Sequence, residues 1–330
     1  MKINNTIGID MSKSKFDAYI YLNQAIGTFE NTRSGYSELL RWAIKDNTID
    51  INETLFVLEH TGLYSENISV YLAEKGISFL IVPGLAVKKS LGIARGKSDK
   101  IDARKIAKYA YQRRDELMPT QLSGKTITSL KKLLSLRDRM VVQRGGYKSS
   151  FKEQSLFLDK NEFKAVLQAQ EKMIIFLSKQ IDHLEKQMDE LIKNDVQLKE
   201  LFSLITSIKG IGTQTALYMI VYTDGFTKFK TWRKFASYCG TAPFPNESGT
   251  VIKRTKVSHF ANKKIKCLLD LCSKSAIQHN REMRAYYKRR VEIGKDKRST
   301  INVVRNKLLA RMFAVVDRKT PYVELMKYAA

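Results

Sequence analysis

Proline and glycine are both thin in the middle of this chain. Of five prolines in 330 residues none falls between 126 and 205, where glycine occurs only as Gly145-Gly146. That scarcity excludes a turn-rich β architecture there and leaves long helices. No apolar run approaches the about 18 residues of a membrane span, and the N-terminus lacks a signal-peptide pattern, so a cytoplasmic chain with no membrane partner is expected. Cysteine is limited to Cys239, Cys267 and Cys272. Without a C-x-x-C pair, and with only His259 and His279 nearby, these exclude a disulfide framework and a zinc site. Cys267 and Cys272 fall in the apolar helix of Ile265, Leu268, Leu269 and Leu271 and are expected to be buried. Acids are outnumbered, 33 Asp/Glu against 58 Lys/Arg. The resulting charge of +25 and pI near 9.8 imply a polyanionic partner.

Against that basic background four acids stand out: Asp10 in TIGIDMSKSKFDAYI, Glu59 in ETLFVLEHTG, and Asp99 with Asp102 in GKSDKIDARKIA. The first two lie in apolar, β-branched runs that read as buried strands, and the last pair opens a helix. A carboxylate in a buried strand is costly unless it is paired or holds a metal. Taken alone, Asp99 and Asp102 after Ser98 are helix N-terminal acids that complement the dipole. Asp10 alone could cap a strand, and Glu59 could pair with a lysine. The order of elements favours another reading. Strands at 7–10, 16–22 and 26–30 make a meander. The helix of Tyr36, Leu39, Leu40 and Ala43 follows, then the strand ending in Glu59. A helix around Ile68, Tyr71 and Leu72 leads to the strand Phe79-Leu80-Ile81-Val82. This is the order of a ribonuclease-H-like domain, whose first strand and first post-helix strand lie side by side. Asp99 and Asp102, three apart, share a helix face. Four converging carboxylates need cations, and hard Mg2+ suits them, which points to a two-metal phosphoryl-transfer site.

The C-terminal region carries the positive charge. From 251 to 330 there are 21 Lys/Arg against 6 Asp/Glu, interleaved with Tyr286, Tyr287, Phe313 and Tyr322. That mixture suits phosphate contacts and base stacking, with Lys253, Arg254, Lys263, Lys264, Arg281, Arg284, Arg289 and Arg290 as candidate contacts. The plain alternative is a solvated helix face. In the middle, helices over 126–157 and 162–205 flank a break at 158–161 and fold back as an antiparallel hairpin. Ile174, Leu177, Ile181, Leu184, Met188 and Leu191 form a coiled-coil seam that serves packing or a dimerisation arm. Next, Ser207-Ile208-Lys209-Gly210-Ile211-Gly212 resembles a helix-hairpin-helix turn, in which Lys209, Gly210 and Gly212 would receive a phosphate at a helix N-terminus. The segment 242–249 reads as a loop stiffened by Pro243 and Pro245. Its Ser248-Gly249 is by spacing a turn, or a serine presented to a ligand.

The runs GIDMSKSKFDAYI, LEHTG and KSDKIDARKIA, followed by LITSIKGIGTQTALYMIVYTD and WRKFASYCGTAPFPNESGT, together resemble the DEDD transposases of insertion sequences, a family that also contains DNA invertases. The resemblance implies that Asp10, Glu59, Asp99 and Asp102 are the tetrad that holds Mg2+ and that Ser248 is the nucleophile in a DNA strand exchange through phosphoserine. It further implies DNA as donor and target, a structured non-coding guide RNA, and a homo-oligomer. The expected fold is α/β plus α: an RNase-H/RuvC-like domain at 1–120, a helical coiled-coil hairpin at 121–203, and a mainly helical basic transposase domain at 204–330. Two rivals use the same residues differently: a RuvC-like junction endonuclease working through metal-activated water, and a non-catalytic nucleic-acid binder. A sugar-kinase-like ATPase is disfavoured, because Met11-Ser12-Lys13 lacks the glycine expected after the first aspartate and no glycine-rich nucleotide motif follows.

Overall fold

The run Asn5–Met11 forms strand β1, which puts Ile7, Ile9 and Met11 on one side of a sheet and Thr6, Gly8 and Asp10 on the other, as period-two geometry requires. A computed structural model describes residues 2–90, 99–159, 161–248 and 251–324, apart from the side chains of 246–248 and 251–254. The chain divides into two compact units, 1–122 and 123–330.

In the first unit Lys15–Ile20 (β2) returns antiparallel to β1 and Ile26–Glu30 (β3) completes the meander. Helix Arg33–Arg41 (α1) begins where the Thr32 hydroxyl accepts from the Gly35 N–H. It leads to Thr54–Glu59 (β4), parallel to β1, and Glu66–Glu74 (α2) then leads to Phe79–Val82 (β5), parallel to β4. The sheet order is β3-β2-β1-β4-β5. Helices Gly84–Ser90 (α3) and Asp99–Gln112 (α4) follow. One sheet face packs Ile7, Ile9, Phe56 and Leu58 against Tyr36 and Leu39 of α1 and Ile68 and Leu72 of α2. The other packs Leu55, Val57 and Val82 against Ile106, Tyr109 and Ala110 of α4. Central parallel strands buried on both faces explain why β1 and β4 are nearly continuous apolar runs.

Helix α4 touches β1 backbone to backbone. A Cβ on Gly8 would stand 2.2 Å from the Ala103 carbonyl oxygen and 2.3 Å from the Ala107 nitrogen. Two residues earlier on the same face, the Thr6 hydroxyl donates to the Ala107 carbonyl at 2.9 Å. Strand and helix therefore run in opposite directions. Asp10, two residues beyond Gly8, is about 6–7 Å further along the strand, and Asp102 and Asp99 lie in the turn of helix beside it.

In the second unit Lys125–Phe157 (α5) and Lys164–Asn194 (α6) form the antiparallel hairpin, tied along its length by Arg137–Glu185 at 2.6 Å and by Gln170 to Gln154 at 2.7 Å. The hairpin, expected as a segment of its own, shares one core with the C-terminal helices. Its root residues Leu130, Leu134, Met188 and Ile192 are buried with the helices that follow. These are Val196–Thr206 (α7), Thr213–Thr223 (α8), Trp232–Tyr238 (α9), Lys263–His279 (α10), Arg281–Glu292 (α11) and Lys297–Arg318 (α12). The helix expected over 162–205 is two, because Asp195 leaves the helical conformation and caps α7, its carboxylate accepting from the Leu198 N–H. The loop expected at 242–249 is instead strand Pro243–Ser248 (β6), antiparallel to Val251–Val257 (β7), with an irregularity between Phe244 and Asn246. Pro243 opens the strand and Pro245 sits in the irregularity, two places where a missing N–H breaks no ladder. Cys272 is buried against the Thr215 hydroxyl, but Cys267, five residues earlier on α10, is exposed. Among the described residues no helix is long and apolar enough to cross a membrane.

Gly8→Ala should destabilise the first unit by about 1–3 kcal/mol, because the methyl must push α4 off β1. A strand glycine without such a neighbour would be stabilised by the same change. Thermal melting of the variant reads the sign.

Candidate active site and nucleic-acid surface

In the parallel register of β1 and β4 Ile9 pairs with Leu58, so Asp10 and Glu59 are the next residues on adjacent strands and point to the face covered by α4. Glu59 leans on Gly84: a Cβ there would fall 1.9 Å from the Glu59 Oε1, so the glycine at the start of α3 makes room for the carboxylate. Asp99 is exposed on the first turn of α4, and Asp102 is half-buried and ion-paired to Lys105 at 2.8 Å. The cluster has a fifth acid that the sequence reading missed. Asp17 stands opposite Asp10 in the β1–β2 register, is 5% exposed, and accepts the Thr28 hydroxyl. Its signal was the polar residue inside the apolar strand FDAYI, which a hairpin return aligns with Asp10.

Electrostatics shows the convergence. Burial first, and then the charges of Asp102, Glu59, Asp99 and Asp17, lift the Asp10 pKa from 3.8 to about 6. The donors are oxygen only and carry excess negative charge, which fits a hard dication. Among the described residues no three of these side chains are gathered into a ready coordination sphere, so the acids must turn inward to share an ion.

In the second unit Ser248 ends β6 and pairs with Val251. Gly249 lies outside the described residues, as do the side chains of Ser248, Lys253 and Arg254. The root of this β-hairpin is held by α12. The Thr241 carbonyl accepts from Asn302 Nδ2 at 2.9 Å and from Asn306 Nδ2 at 3.0 Å, and the Thr241 hydroxyl bonds Asn306 Oδ1 at 3.0 Å. On the return side the Asn262 N–H donates to the Tyr238 carbonyl, and Asn262 Oδ1 caps α10 through the Ile265 N–H. Asn302 and Asn306 were not singled out from sequence. Two asparagines four apart on one helix were the available sign.

Several expected phosphate contacts are occupied by the protein itself. Lys209 pairs with Glu324 at 2.8 Å. Gly210 has φ +97° and lies so near α10 that a Cβ would be 2.9 Å from Ala276, which accounts for that glycine by packing. The start of α8 after Gly212 borders a cavity lined by Asp182, Glu185, Lys186 and Asp189 of α6, so a phosphate at this turn would meet three carboxylates and one ammonium. Lys264 pairs with Asp138 at 2.8 Å. Arg284 donates to the Ile277 and Gln278 carbonyls and so caps the C-terminus of α10. Lys263, Arg281 and Arg289 remain exposed and Arg290 half-buried.

Family comparison agrees with this layout. A transposase model of the DEDD IS110 type matches residues 7–154, and one described as the transposase IS116/IS110/IS902 family matches residues 202–288. The chain belongs to the IS110 family of DEDD transposases. The IS110-family chain is 27% identical over 324 residues to the pilin gene-inverting protein of Moraxella bovis, covering 96% of this chain and 97% of that protein. The Moraxella lacunata pilin gene-inverting protein matches at the same identity and coverage. An uncharacterized protein of insertion element IS110 from Streptomyces coelicolor is 27% identical over 139 residues, 42% of this chain and 33% of that protein. The family makes the chain a DNA recombinase enzyme of the transposase and invertase kind.

Asp10 gives this IS110-family enzyme a pH-dependent stability. Its proton is held more tightly in the folded state than the unfolded one, so its contribution is full below about pH 4 and is lost as pH rises through about 6. Without Mg2+ at pH 7.5, Asp10→Asn should melt above wild type by an amount worth on the order of 1 kcal/mol once solvent screening is allowed for. At pH 3.5 the two should converge, and Mg2+ should raise the melting temperature of the wild type alone.

Proposed function

We propose that this transposase cuts and rejoins DNA through a phosphoserine at Ser248, with Asp10, Glu59, Asp99 and Asp102 of an RNase-H/RuvC-like unit as the Mg2+-holding tetrad. The observation that carries the proposal is the crowding of charge at Asp10. Carboxylates from β1, β4 and the first turn of α4 lie near enough to raise the Asp10 pKa, and Lys105 is the cation paired with Asp102. Such a cluster is stabilised by a dication, which when bound would polarise a scissile phosphate. In the chain's own steps the Ser248 hydroxyl loses its proton and bonds to phosphorus while one bridging P–O bond of the strand breaks and the departing oxygen is protonated. The reverse exchange with a new strand end restores the serine. The ester keeps the energy of the broken bond, so no nucleotide is consumed. The role of Asn302 and Asn306 is to hold the root of the serine hairpin through Thr241.

A structured non-coding RNA that directs the choice of DNA is part of the proposal, supported by the cation excess of the C-terminal region. So is a homo-oligomer assembled through the α5–α6 hairpin. Beyond its root that hairpin exposes large apolar side chains, among them Val142 (74%), Phe157 (82%), Ile175 (49%) and Phe176 (53%). Phe157→Ser with Phe176→Ser should shift the enzyme to a smaller species in light scattering while its melting temperature holds. An unchanged mass would remove the hairpin from the assembly.

The decisive experiment uses a suicide DNA substrate that cannot be religated. Wild type should give a protein–DNA adduct stable to SDS, Ser248→Ala should give none, and Asp102→Asn should lose at least about 100-fold in adduct formation with its fold intact. Cleavage by Ser248→Ala at the wild-type rate, with free ends, would leave the junction endonuclease as the better reading.

A further inference from the structure

Three half-buried arginines of the second unit have carboxylate partners: Arg137 has Glu185, Arg305 has Asp270, and Arg311 has Glu282. A group of cations on α11 and α12 differs. Around the ring of Tyr286, on α11, stand Lys307 Nζ at 4.3 Å from α12 and the guanidinium carbons of Arg289 at 5.8 Å and Arg290 at 5.9 Å. Among the described residues none of the three has a carboxylate partner. Arg290 Nε, moreover, is buried without any hydrogen-bond acceptor.

Three positive charges gathered on one ring repel one another. The ring quadrupole offsets only part of that repulsion, and a buried guanidinium N–H without an acceptor adds a further penalty. Helical spacing accounts for Arg289 and Arg290 lying near Tyr286, three and four residues on. It does not account for Lys307, which arrives from a different helix. What the group lacks is an anion with several acceptor oxygens.

We infer that Lys307, Arg289 and Arg290, assembled on Tyr286, form a binding site for one phosphodiester group of a nucleic acid. Its contacts would be charge to phosphate oxygen, so the site reads backbone rather than sequence. It belongs to the second unit, whereas the tetrad is in the first, and it includes a residue, Lys307, that was not among the contacts expected from sequence. The inference rests on the nucleic-acid reading above but not on the serine chemistry.

The test is made on the full chain with two labelled probes, a duplex DNA oligonucleotide and an RNA hairpin, titrated across a range of salt. Lys307→Met keeps the stem over the ring and removes the charge, and the triple variant adds Arg289→Gln and Arg290→Gln. The triple variant should bind at least one probe tenfold or more weakly near 0.1 M salt, with the log–log salt slope flattened by about 0.9 for a lost duplex phosphate or about 0.7 for a single-stranded one. A loss confined to DNA assigns the phosphate to DNA, and one confined to RNA assigns it to RNA. Lys307→Arg should bind as wild type. Equal loss in Lys307→Arg and Lys307→Met would mean a packing role and overturn the site, as would wild-type affinity and slope for both probes in the triple variant. Asp102→Asn, run in parallel, should bind both probes normally and fail only in strand exchange. A failure of the recombinase reading therefore shows in exchange by the wild type, and a failure of the phosphate site shows in binding.

Discussion

The backbone contact between β1 and α4 fixes where the acids of the first unit meet. Gly8 has no side chain, so Ala103 and Ala107 come down onto the strand itself, and the Thr6 hydroxyl pins the same helix two residues away. Two points of attachment on a rigid strand set both the direction of α4 and its position along β1. Asp99 and Asp102 then have nowhere to go but beside Asp10. Glu59 comes from the parallel pairing of β4 with β1, and its carboxylate finds room at a second glycine, Gly84. Two missing side chains thus govern a cluster of charged ones. Such a site is built on regular elements rather than on loops, which holds it more firmly.

The second unit solves a different problem. It presents a serine at the end of a strand pair, and the pair is fastened at its base rather than along its length. Asn302 and Asn306 both reach the Thr241 carbonyl, and Asn262 ties the returning strand to α9 and α10. Half-buried amides bonded in this way favour one position for the hairpin root. The hairpin helices α5 and α6 add their roots to the same core as the helices that carry the asparagines.

Much of the first unit was legible because its signals were local and periodic. Alternating apolar strands, a run of helix spacing between them, and acids at strand ends gave the element order and the four carboxylates together. Asp17 escaped notice because its importance comes from pairing across a hairpin, which a linear reading does not weigh. The second unit was harder. Prolines at 243 and 245 argued for a loop, yet one begins a strand and the other sits where the ladder is irregular. Gly210 and Lys209 read as a phosphate turn, and the fold adds what the sequence does not show: the close approach of Ala276 and a pairing with Glu324, 115 residues away. Arg284 read as a phosphate contact, and the fold adds that it bonds the last carbonyls of α10. Charge is visible in a sequence, whereas the partner that consumes the charge is not.

Lys105 gives the acidic cluster a tethered monovalent ion of its own. One turn along α4 from Asp102, its ammonium already sits on a carboxylate that the tetrad would lend to a metal. Loading the site with a dication would then be an exchange rather than an addition, with the Lys105 ammonium displaced from the Asp102 carboxylate. An exchange of this sort sets a threshold. Sodium or potassium brings no more charge than the lysine it would displace and gains little, while a dication gains the difference. The helix that would complete such a site would thereby also favour divalent over monovalent ions.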